Sequence, residues 1–462
     1  MRVLKFGGSS VGSAERVDHV INVLQNRYIA RQVKFAVVFS AFQGVTDKLI
    51  EIGKLAFQRK PNYKTELEKL IDIHYETVFK LNPVKMHSLT AEELEPLFDE
   101  LKEVVHGVYL VKELSARTLD YIVSFGERLS CTIINFTMQK RGVGSEYLDA
   151  SKLIKTDDSF GNARVDFKST NKNIADYFKK HKKLQVITGF ISSTYENEIT
   201  TLGRGGSDYT ASIFGAALNA DLIEIWTDVD GILTADPRKV KDAFPLPTVT
   251  YEEAMELSHF GAKVIYPPTM LPALQKKIKI VIKNTFNPDF EGTYIAVKEK
   301  DSSFTVKGIS SVDDISLVRV QGGGMVGVTG IAARLFGALA KHNVNIILIT
   351  QASSEHSICL AIPPKLGALS KKVIEEEFRL EMLDGKIGEV KVENDLSIIA
   401  VVGEHMRHTP GISGKVFKAL GKNKININAI AQGSSELNIS LVIEKSNLSK
   451  ALNVLHKAVI KN

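Results

Sequence analysis

Cysteine is almost missing. Cys131 and Cys359 are the only two in 462 residues, far apart and each in an apolar setting. That excludes a disulfide-stapled secreted scaffold and fits two reduced, buried thiols in a cytoplasmic protein. Long apolar runs are missing as well: none reaches the roughly 18 residues of a membrane-spanning helix, and the N-terminus reads as a strand rather than a signal-peptide core. Charge of one sign is also scarce. The net +6 is the small difference between 59 basic and 53 acidic residues, interspersed along the chain, so neither nucleic acid nor a membrane is called for as partner. What remains is an ordinary globular composition, 44% hydrophobic and 24% charged, with enough apolar material for two or three domains.

The chain is organised around its first residues. An apolar run, Val3 to Phe6, leads into Lys5-Phe6-Gly7-Gly8-Ser9-Ser10-Val11, and Val17, Val20, Ile21 and Leu24 then recur at helical spacing. The expected order is strand, glycine loop, helix, with Ser13 as cap and Glu15 in the first turn. Adjacent glycines let backbone N–H groups approach an anion, a helix N-terminus adds partial positive charge, and Lys5 supplies a mobile cation. A tight turn beside a surface lysine leaves the same short signature, so the later loops carry the decision.

Two more loops of this kind follow. The continuously apolar Phe35 to Phe39 reads as a central parallel strand, ending in Ser40-Ala41-Phe42-Gln43-Gly44-Val45-Thr46 before another helix. Residues 63 to 141 read as a helical block broken near Pro61, Pro83 and Pro96. Inside it, Ser124-Phe125-Gly126-Glu127-Arg128 interrupts an apolar helix, Leu119 to Phe136, with a glycine and a charge pair. Strands are expected at Glu146 to Leu148 and Leu184 to Thr188, with a hairpin through Glu196-Asn197-Glu198. It leads to Gly203-Arg204-Gly205-Gly206-Ser207-Asp208, just before a helix at Ala211 to Leu218. In a parallel sheet such loops converge on one edge, which points to a polyphosphate and a second anionic reactant. Another strand, Leu222 to Trp226, opens into Thr227-Asp228 and on to Asp236-Pro237-Arg238; Ser258 to Lys263 places a lysine after a glycine. Ile280 to Lys283 closes the unit, and Asn284 to Lys300 is the expected boundary.

The remainder is an internal repeat. At an offset of 81 residues, Gly330-Ile331 falls on Gly411-Ile412, Ile349 on Ile430, and the segment from Gln351 to Glu355 on that from Gln432 to Glu436. Each copy reads strand, helix, strand, hairpin, strand, helix, the ferredoxin-like order. The first spans about 316–391 and the second 397–462. The second lacks its last strand, so a spare strand at 304–309 is expected to complete it and intertwine the two.

Together, Lys5 to Val11, Phe125-Gly126-Glu127, Gly203 to Asp208, Trp226 to Arg238 and Phe260 to Lys263 resemble the motif series of aspartokinases. The repeat resembles their tandem ACT regulatory domains, and the paired Gln-x-Ser-Ser-Glu segments are similar to the kinase portion of bifunctional aspartokinase-homoserine dehydrogenases. The chain stops with the second ACT unit, so a monofunctional relative and a fragment are both open. The resemblance implies an α/β amino-acid kinase fold, an open and mainly parallel sheet between helices, over 1–295, followed by ACT domains over 296–462. It implies transfer of the ATP γ-phosphoryl group to the β-carboxylate of L-aspartate, with Mg2+ held mainly by the phosphates and no metal ligands from the protein. Such an acceptor is already ionised, so positioning and charge neutralisation are the required work.

Carried over by motif, Lys5 and Lys263 would neutralise the transferring phosphoryl, with Asp208 orienting the lysine. Gly7, Gly8 and Ser9 would bind phosphate, and Thr227, Asp228, Asp236 and Arg238 match the nucleotide segment. Glu127 and Arg204 would hold the substrate ammonium and α-carboxylate, with Ser40, Thr46 and Ser207 as hydroxyl donors. Leu233 replaces a frequent aromatic residue, and Tyr266 a usual histidine. Ile349, Gln351, Ile430 and Gln432 would bind an allosteric amino acid, threonine first and lysine second, in a homo-oligomer joined through the ACT units. An inactive amino-acid sensor, or a kinase for another carboxylate or a nucleotide monophosphate, are the other readings; the Glu127 and Arg204 pair disfavours the last.

Overall fold

Apolar runs without polar alternation can be satisfied only by strands covered on both faces, and the central sheet forms from those runs. The structure is a computed structural model that describes residues 1–261, 265–298, 304–351 and 356–460. Two units are present. The first is built from Met1–Ile232, Pro245–Tyr251 and the described part of 264–299; the second from Leu233–Phe244 and the described parts of 252–263 and 300–462.

Strands of the first unit are β1 (Arg2–Phe6), β2 (Phe35–Phe39), β3 (Ser145–Leu148), β4 (Leu184–Thr188), β5 (Ile191–Ser193), β6 (Ile199–Thr201), β7 (Leu222–Thr227), β8 (Thr248–Thr250), β9 (Lys279–Asn284) and β10 (Thr293–Ala296). Eight of them form one sheet in the order β3-β4-β2-β1-β7-β9-β10-β8, while β5 and β6 make a separate hairpin. From β3 to β9 every pairing is parallel; β10 runs antiparallel to β9. This is the open, mainly parallel sheet of the amino-acid kinase fold. On one face Phe6 stacks between Phe39 and Trp226 at ring separations of 5.7 and 5.5 Å, and the helix Ala14–Leu24 buries Val17, Val20, Ile21 and Leu24. Ser13 caps that helix, as its spacing predicts, accepting from the Arg16 amide.

The helical block departs from expectation at one point: Pro96 lies inside the helix His87–Val111 and does not end it. A proline forfeits one backbone donor, but Leu94, Phe98, Leu101, Val105 and Val108 on this helix are all buried. Burying five such side chains outweighs the lost bond of the proline.

Strands of the second unit are β11 (Gly308–Gln321), β12 (Leu348–Gln351), β13 (Ser357–Ile362), β14 (Lys391–Val402), β15 (Ala429–Ala431) and β16 (Asn438–Glu444). They make one six-stranded sheet, β12-β13-β11-β14-β16-β15. β11 is a single long strand: Gly308 to Val312 pairs with Val402 to Ile398, and after an irregularity near Ile315 the strand pairs with Glu393 to Lys391 and with β13. Residues 308 and 309, read as part of a spare strand, are thus the start of the first repeat's own strand and pair with the second repeat. β12 and β15 begin at Leu348 and Ala429, and Ile346 and Ile427 just before them pack against the cores of their repeats. The edge strands also meet, with Thr350 Oγ1 donating to the Ile430 carbonyl at 2.8 Å.

No helix among the described residues is long and apolar enough to cross a membrane. Cys131 is buried and Cys359 half-buried, both as free thiols.

Candidate active site

The six neighbouring strands β3, β4, β2, β1, β7 and β9 all point the same way, so the loops that follow β1, β2 and β4 collect at one sheet edge, joined there by the loop after β6. They enclose a cleft of about 350 Å3 lined by Lys5, Gly8, Ser40, Thr46, Glu127, Ser207 and Asp208, together with Gln43, Asp47 and Phe190. Lys5 leaves β1 next to its end, and its Nζ lies 2.6 Å from Asp208 Oδ1, with both side chains almost buried. The pairing joins the first glycine loop to the third.

Two helices start at the cleft. Gly44 and Gly205, at φ 81° and 72°, cap Val45–Phe57 and Gly206–Ala217. This left-handed conformation favours glycine, and it turns each chain so that the first-turn amides face the cleft. The second helix begins five residues earlier than Ala211, the start expected from its apolar pattern. Ser207 and Asp208 therefore sit in its first turn, where amides and partial positive charge are concentrated. The N-terminal loop is different: a short 310 turn, Gly8–Ser10, comes before the helix at Ala14. Gly7 also spends its amide on the Trp226 carbonyl, at 3.3 Å, whereas Gly8 lines the cleft.

Glu127 comes from the helix Ala116–Lys140. A Cβ on Gly126 would stand 2.8 Å from the Ala41 Cβ, so the bare glycine is what lets this helix lie against the β2 loop. At that distance Glu127 Oε1 accepts from the Ala41 amide at 3.1 Å, while Oε2 is buried with no hydrogen-bond partner among the described residues. Burial pushes the Glu127 carboxyl up to about 8; the Ala41 N–H and the positive charge of Lys5 pull the other way. The neighbouring Arg128 is not part of this site, since it bonds Glu100 at 2.7 Å.

Other expected residues fall elsewhere. Arg204 is exposed beside the cleft rather than lining it, its guanidinium 5.4 Å from the ring centre of Tyr266. Ser9 follows Gly8, and its carbonyl accepts from Arg16 at 2.7 Å. Thr227 and Asp228 lie at the end of β7 and bond each other at 3.1 Å. Asp236 and Arg238 belong to the second unit, where they form a two-pronged ion pair at 3.0 and 2.8 Å. Lys263 lies outside the described residues. Gln351 and Gln432 are exposed at corresponding ends of β12 and β15, beside the exposed Ile349 and Ile430.

The sequence reading missed Asp120, on the same helix as Glu127. It is buried and accepts from the amides of Gly161 and Thr201 and from Thr201 Oγ1 at 2.8 to 2.9 Å, anchoring the strand that leads into Gly203. It also missed Phe190, which lines the cleft at φ 69°, a conformation rare outside glycine. A glycine neighbour gives no hint of that strain. Among the described residues no cluster of His, Cys, Asp and Glu could hold a metal ion.

The Amino acid kinase family profile matches residues 1–284, and the ACT domain profile matches 318–378 and 399–459. The fold is thus that of an amino acid kinase followed by ACT domains. The bifunctional aspartokinase/homoserine dehydrogenase 1 of Zea mays is 37% identical over 98% of this chain and 50% of its own length. Aspartokinase 1 of Arabidopsis thaliana is 32% identical over 100% of this chain and 80% of its own. E. coli aspartokinase III, solved in complex with aspartate and ADP, superposes with a TM-score of 0.84 at 27% identity, covering 100% of both chains. The chain belongs to the aspartokinase family. It spans about half the length of the bifunctional relatives that it matches.

Proposed function

We propose that the chain is an aspartate kinase that transfers the γ-phosphoryl group of ATP to the β-carboxylate of L-aspartate, giving 4-phospho-L-aspartate. The observation that carries this reading is the cleft in which the Lys5–Asp208 pair, two helix N-termini and the buried Glu127 come together. Bound MgATP supplies the phosphoryl group and the metal charge that offsets its oxygens. Lys5, held by Asp208, places a cation where charge builds on the transferring group, and the first-turn amides around Thr46 and Ser207 add donors. Glu127 meets the substrate ammonium with its unpartnered Oε2, and Arg204 swings from Tyr266 to the α-carboxylate. Thr227 and Asp228 face the nucleotide, joined in this reading by Asp236, Arg238 and Lys263. The kinase domain covers 1–295 and the ACT domains 296–462.

This reaction opens the route to lysine, threonine and methionine, in the cytoplasm. The ACT units feed inhibition back through Gln351 and Gln432, by threonine first and lysine second, in a homo-oligomer. The E. coli relative's complex with aspartate and ADP supports the choice of substrates. Trapping acyl phosphate with hydroxylamine across a panel of amino acids tests it. Aspartate is expected to give the product; a signal from another acceptor alone, or from none, would reject the reading.

A further inference from the structure

Apart from the cleft, the first unit holds a second cavity, of about 200 Å3, on the sheet face covered by the chain around Tyr28. Its walls carry Arg2, Arg27, Arg31 and Lys283 against one carboxylate, Glu224. That carboxylate is already satisfied. It is buried, and it accepts from Arg2 Nη1 at 2.8 Å and from the Tyr28 hydroxyl at 2.6 Å. Arg27 reaches outward to an ion pair with the exposed Asp289. Arg31 and Lys283 make no side-chain hydrogen bond or ion pair among the described residues. The Lys283 ammonium is half-buried, 5.2 Å from the Trp226 ring centre, and burial holds its pKa below the usual lysine value.

Among the described residues only Arg2 and Arg27 of the four cations are ion-paired. The half-buried Lys283 ammonium feels the Glu224 and Glu291 charges but closes no ion pair with either, so it and Arg31 stand at the cavity wall without a directly bound anion, which is unfavourable for a half-buried ammonium. The local backbone is also unusual. Gln25–Ile29 is a π-helical turn, a rare form that recurs at functional sites, and it carries Arg27 and Tyr28 to the cavity wall. We propose that this cavity is a binding site for a small multivalent oxyanion, held by Arg2, Arg31 and Lys283. Arginine forks suit either phosphoryl or carboxylate oxygens. The volume is below the roughly 300 Å3 at which pockets for drug-sized ligands begin, so the ligand is a compact anion rather than a nucleotide. The inference does not depend on which reaction the cleft performs.

Calorimetric titration of the full chain with pyrophosphate, and separately with citrate, at ionic strength matched with chloride, tests the proposal. Saturable binding of at least one is expected, and the tighter one identifies phosphoryl or carboxylate oxygens as the preferred ligand atoms. Arg31→Ala and Lys283→Met should each weaken it about tenfold or more, as expected for a lost charge-assisted contact. Lys5→Ala, which alters the other cleft, should change it less than about twofold on the same reasoning. Absence of saturable binding overturns the site. So does binding that Lys5→Ala abolishes and Arg31→Ala leaves intact; Arg31 is exposed, so that variant is decisive even if Lys283→Met folds poorly.

Discussion

Lys5 and Glu127 show how strongly surroundings decide what a side chain can do. Lys5 is nearly buried, paired at 2.6 Å with Asp208, and aimed into a cleft rather than into water. Removing a contact made chiefly in the transition state should lower kcat by about a hundredfold or more while leaving KM for aspartate nearly unchanged. Steady-state kinetics of Lys5→Ala decide the point, and a normal kcat would remove Lys5 from the chemistry. Glu127 carries a pH signature. With its carboxyl raised to about 8, the folded chain holds a proton between roughly pH 4.5 and 8 that the unfolded chain has lost. Stability therefore falls as pH rises through that window. Glu127→Gln should be more stable than the parent at pH 9 and no more stable at pH 4, as read by thermal unfolding. The same carboxyl must ionise to meet an ammonium, so KM for aspartate should fall as pH climbs toward 8 and then level off. Glu127→Gln should show a high KM without that slope, and a parent KM flat from pH 6.5 to 8 would contradict the assignment.

At the scale of elements, the site depends on how closely a helix and a loop can approach. Gly126 permits the contact between the helix Ala116–Lys140 and the β2 loop; a methyl there meets the Ala41 Cβ at 2.8 Å. Overpacking of that kind costs about 1–3 kcal/mol, against a helix-propensity gain of about 1 kcal/mol for alanine over glycine. Gly126→Ala should thus lower Tm, and KM for aspartate should rise because Glu127 is pushed off its Ala41 partner. Gly107, inside a neighbouring helix, has nothing within 4 Å of its would-be Cβ, so Gly107→Ala should raise stability by up to about 1 kcal/mol. Equal responses from the two variants would show that propensity, not packing, governs Gly126.

At the scale of the whole molecule, the repeats share one sheet through β11 and β14, and their edge strands meet where Thr350 bonds the Ile430 carbonyl. Gln351 and Gln432 thus present exposed amides at matching strand ends. An amide both donates and accepts, which suits a ligand hydroxyl better than a lysine ammonium. The proposed inhibition by threonine would require it to bind a less active arrangement more tightly, with a coupling of about 1–3 kcal/mol that is reciprocal with substrate affinity. Gln351→Ala and Gln432→Ala should each weaken inhibition and spare uninhibited activity. Titrating the parent with threonine, lysine and methionine separates the inhibitors, and a response to lysine alone would exclude threonine.

The amino-acid sequence by itself determined the strands and the repeat, because both are written in short-range patterns. Phe35–Phe39 and Leu184–Thr188 are strands over the same residues in the apolar pattern and in the fold. Three small-residue loops after strands were legible for the same reason. Tertiary structure alone decided which charges meet. Lys5 and Asp208, distant in the chain, are joined by parallel strands that bring their ends to one edge. Glu127 is buried and Arg128 is not part of the cleft, although the two are adjacent ionisable residues on one helix, because one turns toward the β2 loop and the other toward Glu100. The early start of the helix at Gly206, the unbroken helix through Pro96 and the continuous strand Gly308–Gln321 follow the same logic. Each is a local preference overruled by burial or pairing with residues that no short window of sequence contains.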